Sequence, residues 1–222
     1  MRSGTAPGGR GVRIVDEPRS PDAPQQSRRP RAGRPRDAAK DEAILAAARR
    51  LLAARGYQKT TIAAVSRESG VNTPAIYRRW PTRVALIEEA VHGPAGQPLP
   101  EATGDLRADV ESWVHVFLAR AARPSARAGV PGLLSDAQSE DDRSRLLRIG
   151  APVRRAFTAL IDAAEDRGEV PPGADTALLF EILSSSTSMR GLTRGMEEAD
   201  AYVAELAGAL LVLAAHHREV HP

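Results

Sequence analysis

The stretch "VNTPAIYRRWPTR", residues 71–83, gathers three arginines, a tyrosine, a tryptophan and two prolines. A buried helix would not carry so many cations, and a merely solvated one has no use for two large aromatic rings. The chemistry such a set can do is recognition of a polyanion. Guanidinium groups and a phenolic hydroxyl donate to phosphate oxygens, and an arginine can also fork onto the edge of a guanine. On a helix begun by Thr73 as N-cap and Pro74 as first helical residue, Ile76 faces inward with Trp80 at the rim. Thr73, Pro74, Ala75, Tyr77 and Arg78 then face outward, the small ones letting the backbone approach base edges closely. Thr82 caps the next helix, and with Arg83 it puts a helix N-terminus and a cation where a phosphate can bind.

Other reactive side chains do not assemble into a site. His216, His217 and His221 include the i,i+4 spacing that can chelate a metal, but they end the sequence, so no metal centre is expected. His115 lies among Trp113, Val116, Phe117 and Leu118 and fits a core or pocket wall better than a catalytic role. The carboxylates of 136–142 and 197–200 suit helix N-caps and a solvated rim. Cysteine is absent, which excludes disulfides and thiolate ligands. No nucleophile elbow, phosphate loop, zinc-protease motif or dinucleotide fingerprint occurs. Neither an enzyme nor a cofactor is expected.

The elements that must position residues 71–83 are legible as helices. From Asp37, the residues Ile44, Ala47, Ala48, Leu51 and Leu52 share one face, and Gly56 supplies a stop. Thr60 or Thr61 caps a second helix with Ile62 and Val65 inward, and Gly70 allows a sharp reversal into the third. Two short helices joined this way have helix-turn-helix geometry, in which the second helix enters the major groove. A fourth helix after Thr82 lines up Leu86, Ile87, Ala90 and Val91 and ends at Gly93. Beyond a Pro/Gly-rich joint at 93–104, helices are expected over 105–122, 126–138, 141–167, 174–191 and 198–218. No period-2 strand pattern survives, so the fold class is all-α.

Charge divides the chain more sharply than its net +3 suggests. Residues 1–36 hold nine arginines against three acids, lack apolar periodicity and are expected to be a disordered tail. Residues 37–92 hold nine cations and six anions, whereas 93–222 hold thirteen and nineteen. The first 92 residues therefore suit a polyanion and the rest does not. The longest apolar run, 206–215, is too short to span a bilayer, and the N-terminus has no secretory apolar core, so a cytoplasmic protein is expected.

The run "GYQKTTIAAVSRESGVNTPAIYRRWPTRVALIEEAV" resembles the DNA-binding domain of the tetracycline-repressor (TetR) family. Gly56, Tyr57, Thr61, Ile62, Val65, Gly70, Val71, Ile76, Tyr77, Trp80 and Thr82 fall on that family's pattern. The resemblance implies a DNA interface of Thr60 or Thr61, Thr73, Pro74, Ala75, Tyr77, Arg78 and Arg83. Asn72, Arg83 and Val84 depart from the commonest residues there, which are Ser, Lys and Glu. Further on, "RGEVPPGADTALLFEILSSSTSMRGLTRG" is similar to the penultimate helix of the regulatory domain in the "YRRWP" subgroup.

That family has an effector cavity in the middle helices and a dimer bundle in the last two. Because small-molecule pockets are mostly apolar, Trp113, Phe117, Leu133, Phe157, Ile161, Phe180 and Leu183 are the candidate effector residues. For the dimer seam the candidates are Leu179, Ile182, Ser186, Tyr202, Leu206, Ala209 and Leu213. Residues 37–92 are thus expected to read double-stranded operator DNA and 93–222 to bind an effector and dimerise. The function that follows is a repressor released from a palindromic operator by a small molecule. Its rivals are a non-specific nucleic-acid-binding protein, which the ordered turn disfavours, and a small helical enzyme with a basic tail, which lacks a site.

Overall fold

Apolar spacing is realised directly: Ile44, Ala47, Ala48, Leu51 and Leu52 are all buried on the first helix. The computed structural model describes residues 38–93 and 98–216, apart from the side chains at 143 and 146–149. The Arg-rich tail, His217 and His221 lie outside the described residues. Over these residues the chain forms nine helices and no strand. They are α1 (Ala38–Lys59), α2 (Ile62–Ser69), α3 (Thr73–Arg79), α4 (Arg83–His92), α5 (Leu106–Ala121), α6 (Pro124–Asp136), α7 (Glu140–Asp166), α8 (Thr176–Arg194) and α9 (Ala199–Ala215).

Gly56 breaks α1 with φ 75° and ψ 177°, a conformation that suits glycine, and the last turn brings Tyr57 into the core. Thr61, not Thr60, caps α2, its side chain accepting from the Ala64 amide at 3.1 Å. α3 is capped one residue earlier than expected: Asn72 Oδ1 accepts from the Ala75 amide at 3.0 Å, making Thr73 the first helical residue. Pro74 still falls in the first turn, where its missing N–H has no intrahelical acceptor to lose. Pro124 stands just past the break between α5 and α6 and opens α6 for the same reason. Ser139 and Asp142 form a reciprocal capping box on α7.

Two apolar cores result. The first joins α1 to α4 and also takes in Ala126 and Leu133 of α6, so α6 packs with the DNA-reading helices although it follows them by a whole helix. Leu133, a candidate effector residue, therefore packs under those helices, in a different core from the other candidates. The second core is built from α5, α7, α8 and α9, with Leu118, Phe157, Ile161 and Leu183 wholly enclosed. Each such side chain stabilises the fold by about 1.5–3 kcal/mol relative to exposure. Among the described residues no helix is long and apolar enough to cross a membrane.

Candidate nucleic-acid interface

The turn between α2 and α3 is closed locally. Gly70 takes φ 71°, the Ser66 hydroxyl donates to the Val71 carbonyl at 2.7 Å, and the Val71 amide donates to Ser69 Oγ. Ile76 is wholly buried beneath α3, which fixes the rotation of the helix. Trp80 is buried too, its indole N–H donating to Glu89 at 2.8 Å, so it is a core residue of the head. On the opposite side Tyr77 is 48% exposed, with Arg78 and Pro74 exposed and Thr73 and Ala75 half-buried beside them. Three donors and two small residues thus share one solvent-facing strip. An apolar ring tipped with a hydroxyl and an exposed guanidinium side by side suit a phosphate-lined groove.

The structure separates the other cations by what they already hold. Arg79 turns back to Asp41 at 3.0 Å and sits against the Trp80 ring. Arg49 is paired with Glu42 and Arg50 with Glu68. Arg55, Lys59 and Arg67 are exposed near α2. Two expected contact residues point inward. Thr60 is 1% exposed and its hydroxyl donates to the Gly56 carbonyl, which leaves Thr61 as the exposed member of the pair. Arg83 donates from Nε to the Thr60 carbonyl at 2.9 Å and from Nη2 to the Tyr57 carbonyl at 2.5 Å, with its guanidinium 4.1 Å from the Tyr57 ring centre. A guanidinium spent on carbonyls, a ring and the nearby Asp136 has little left for a phosphate.

Two polar joins were invisible in the sequence. Tyr57 donates its hydroxyl to Asp136 at 2.5 Å; burial first, and then this bond, push its phenol up to about 12. Glu88, 6% exposed on α4, accepts from Arg145 of α7 at 3.1 and 3.2 Å. Burial raises the Glu88 carboxyl, with Arg145 opposing that shift. Both joins link α4 or the end of α1 to helices far along the chain, and no local spacing signals them.

The candidate effector residues assemble in part. Trp113, Phe117, Phe180 and Phe157 form a closed ring of aromatic contacts, with centroids 5.2–5.9 Å apart. Ile161 and Leu183 lie in the same core. The candidate seam on α8 and α9 is out of phase at one position: Leu179 is 3% exposed and faces the core, while Leu178 is 42% exposed. Ile182, Ser186, Tyr202 and Leu206 are half-buried and Ala209 and Leu213 exposed, with the exposed Met189 and Val212 beside them.

A helix-turn-helix head whose recognition helix offers donors to solvent, set on a separate helical core, defines a DNA-binding transcriptional regulator. Residues 44–90 match the family model for bacterial regulatory proteins of the tetR family, and residues 100–210 match the model for the tetracyclin repressor-like C-terminal domain. The chain belongs to the TetR family of ligand-responsive, DNA-binding regulators. It is 27% identical over 181 residues to the HTH-type transcriptional regulator YdeS of Bacillus subtilis, covering 78% of this chain and 89% of that protein. It is 26% identical over 175 residues to the DNA-binding transcriptional repressor TetR of Mycobacteroides abscessus, covering 77% and 91%. Among solved structures, the fatty acid degradation regulator FadR of Bacillus halodurans shares the fold with a TM-score of 0.61 at 16% identity, covering 77% of this chain and 97% of that one.

Proposed function

We propose that the protein is a cytoplasmic, non-enzymatic repressor that binds a palindromic operator as a two-fold dimer. Each subunit inserts α3 into the major groove, with Pro74 and Ala75 against base edges and Tyr77 and Arg78 on phosphate or guanine. The observation that carries this reading is the single solvent-facing strip of α3, whose other side is anchored by Ile76. Thr61 and Thr73 stand at its margins, and the Arg-rich tail adds sequence-independent attraction to phosphate or the minor groove. Arg83 and Thr60 serve the fold of the head rather than the contact.

Release follows from coupling. A small apolar effector that parts the ring of Trp113, Phe117, Phe157 and Phe180 binds one conformation of the regulatory helices better than another. If that conformation misplaces the two α3 helices, the effector must weaken DNA by the same factor by which DNA weakens the effector. The test is selection of bound fragments from random DNA by the full-length protein. A two-fold sequence is expected, and binding without any enriched sequence would favour a packaging protein instead.

A further inference from the structure

α6 is held near both ends by polar ties that neither DNA contact nor ligand contact requires. At its C-terminus Asp136 accepts the Tyr57 hydroxyl at 2.5 Å and lies 3.8 Å from Arg83 Nη1. Arg83 in turn binds the carbonyls of Tyr57 and Thr60, immediately before the Thr61 cap of α2. Asp136 thus reaches the start of the helix-turn-helix through two side chains. Near the other end, Arg127 Nε donates to the Leu192 carbonyl at 3.1 Å and Nη2 to the Thr193 carbonyl at 3.4 Å. Those carbonyls belong to the last turn of α8, where intrahelical partners run out and a cation also suits the helix dipole.

The two joints differ in kind. A Cβ on Gly132 would stand 2.2 Å from the Tyr57 ring, and one on Gly129 would stand 2.6 Å from the Val91 side chain. The backbone of α6 therefore lies directly on α1 and α4, and close packing makes α6 and the head one body. Toward α8 the tie is thinner. Among the described residues, Arg127 supplies the hydrogen bonds between α6 and α8, and the buried apolar residues of α6 belong to the head's core.

We infer that Arg127 is a positioning residue for operator spacing. It fixes where the body of head and α6 stands relative to α8, whose outer face carries the dimer seam; the inference rests on that dimer reading. On a palindrome both heads must land at one separation. A head loosened from α8 accepts several.

The experiment titrates the full-length protein against its selected operator, against versions with base pairs added or removed between half-sites, and against one half-site. Wild type should weaken about a hundredfold when the spacing is wrong, or about 2.7 kcal/mol. Arg127→Ala should weaken only about tenfold, or about 1.4 kcal/mol. Its half-site affinity and Tm should match wild type, and Arg127→Lys, which keeps the charge on a single nitrogen, should fall between. A uniform loss on every DNA with a lowered Tm, leaving the spacing profile parallel to wild type, overturns the inference. So does an unchanged profile in Arg127→Ala. A wild type that selects no two-fold site overturns the dimer reading and the inference together.

Discussion

Tyr77 and Arg78 share the exposed strip of α3 but differ in what they can lose. Arg78→Ala should reduce the slope of log affinity against log salt by about 0.9 if its contact is a phosphate. Tyr77→Phe removes a neutral hydrogen bond, so affinity should fall while the slope holds. Filter binding across a salt series checks both, and a slope that stays put in Arg78→Ala would place that guanidinium on a base instead. Arg83→Ala, by contrast, should lower thermal stability, because the side chain grips the Tyr57 and Thr60 carbonyls. At the same scale, Glu88 titrates above its usual 4.5 in the folded state because it is buried. The folded protein holds that proton more tightly than the unfolded chain does. Its contribution to stability is present in acid and is lost as pH rises from the usual carboxylate value through the raised one. Glu88→Gln should therefore flatten the dependence of Tm on pH over that window, and a curve parallel to wild type would mean that Arg145 cancels the burial.

Helices were legible where period and punctuation agreed. Ile44 to Leu52, Gly56, Gly70 and the Thr82 cap each occupy the place their chemistry predicts. The misses have physical causes. Asn72 and Thr73 are adjacent capping types, and only the backbone trajectory decides which oxygen reaches the Ala75 amide. Leu178 and Leu179 are equally apolar, and only neighbouring helices determine which one is covered. Arg83 reads as a phosphate contact from its place beside the Thr82 cap, and its sequence neighbours carry no signal of Asp136, the residue it faces across the fold. Because Asn72 holds the first turn of the short α3, Asn72→Ala should cost about 1 kcal/mol. Operator affinity should fall with it, since α3 must be helical to enter the groove. Denaturant melts alongside binding would check this, and full affinity in a destabilised variant would show that DNA itself orders the turn.

For the molecule as a whole, the exposed apolar residues along α8 and α9 are the surface a single chain leaves uncovered: Leu178, Met189, Val212 and Leu213. Leu213 is open to solvent in one subunit, so Leu213→Glu should leave each subunit folded while burying an unpaired charge in the dimer, at about 3–5 kcal/mol. Sedimentation should report a monomer, and operator binding should collapse although the substitution lies outside the DNA-reading head. A folded monomer with wild-type affinity would refute the two-fold assembly. The bare glycine face of α6 carries one more consequence, for recombination between relatives. A crossover between α4 and α5 would set Tyr57 and Val91 against a foreign α6, and any side chain at the positions of Gly129 or Gly132 would collide with them. A crossover after Asp136 keeps head and α6 together. The unit that can be exchanged intact between such regulators is therefore residues 38–136, nearly twice the length of the four-helix head over 38–92, and hybrids built on the shorter unit should inherit a DNA-reading head without its seat.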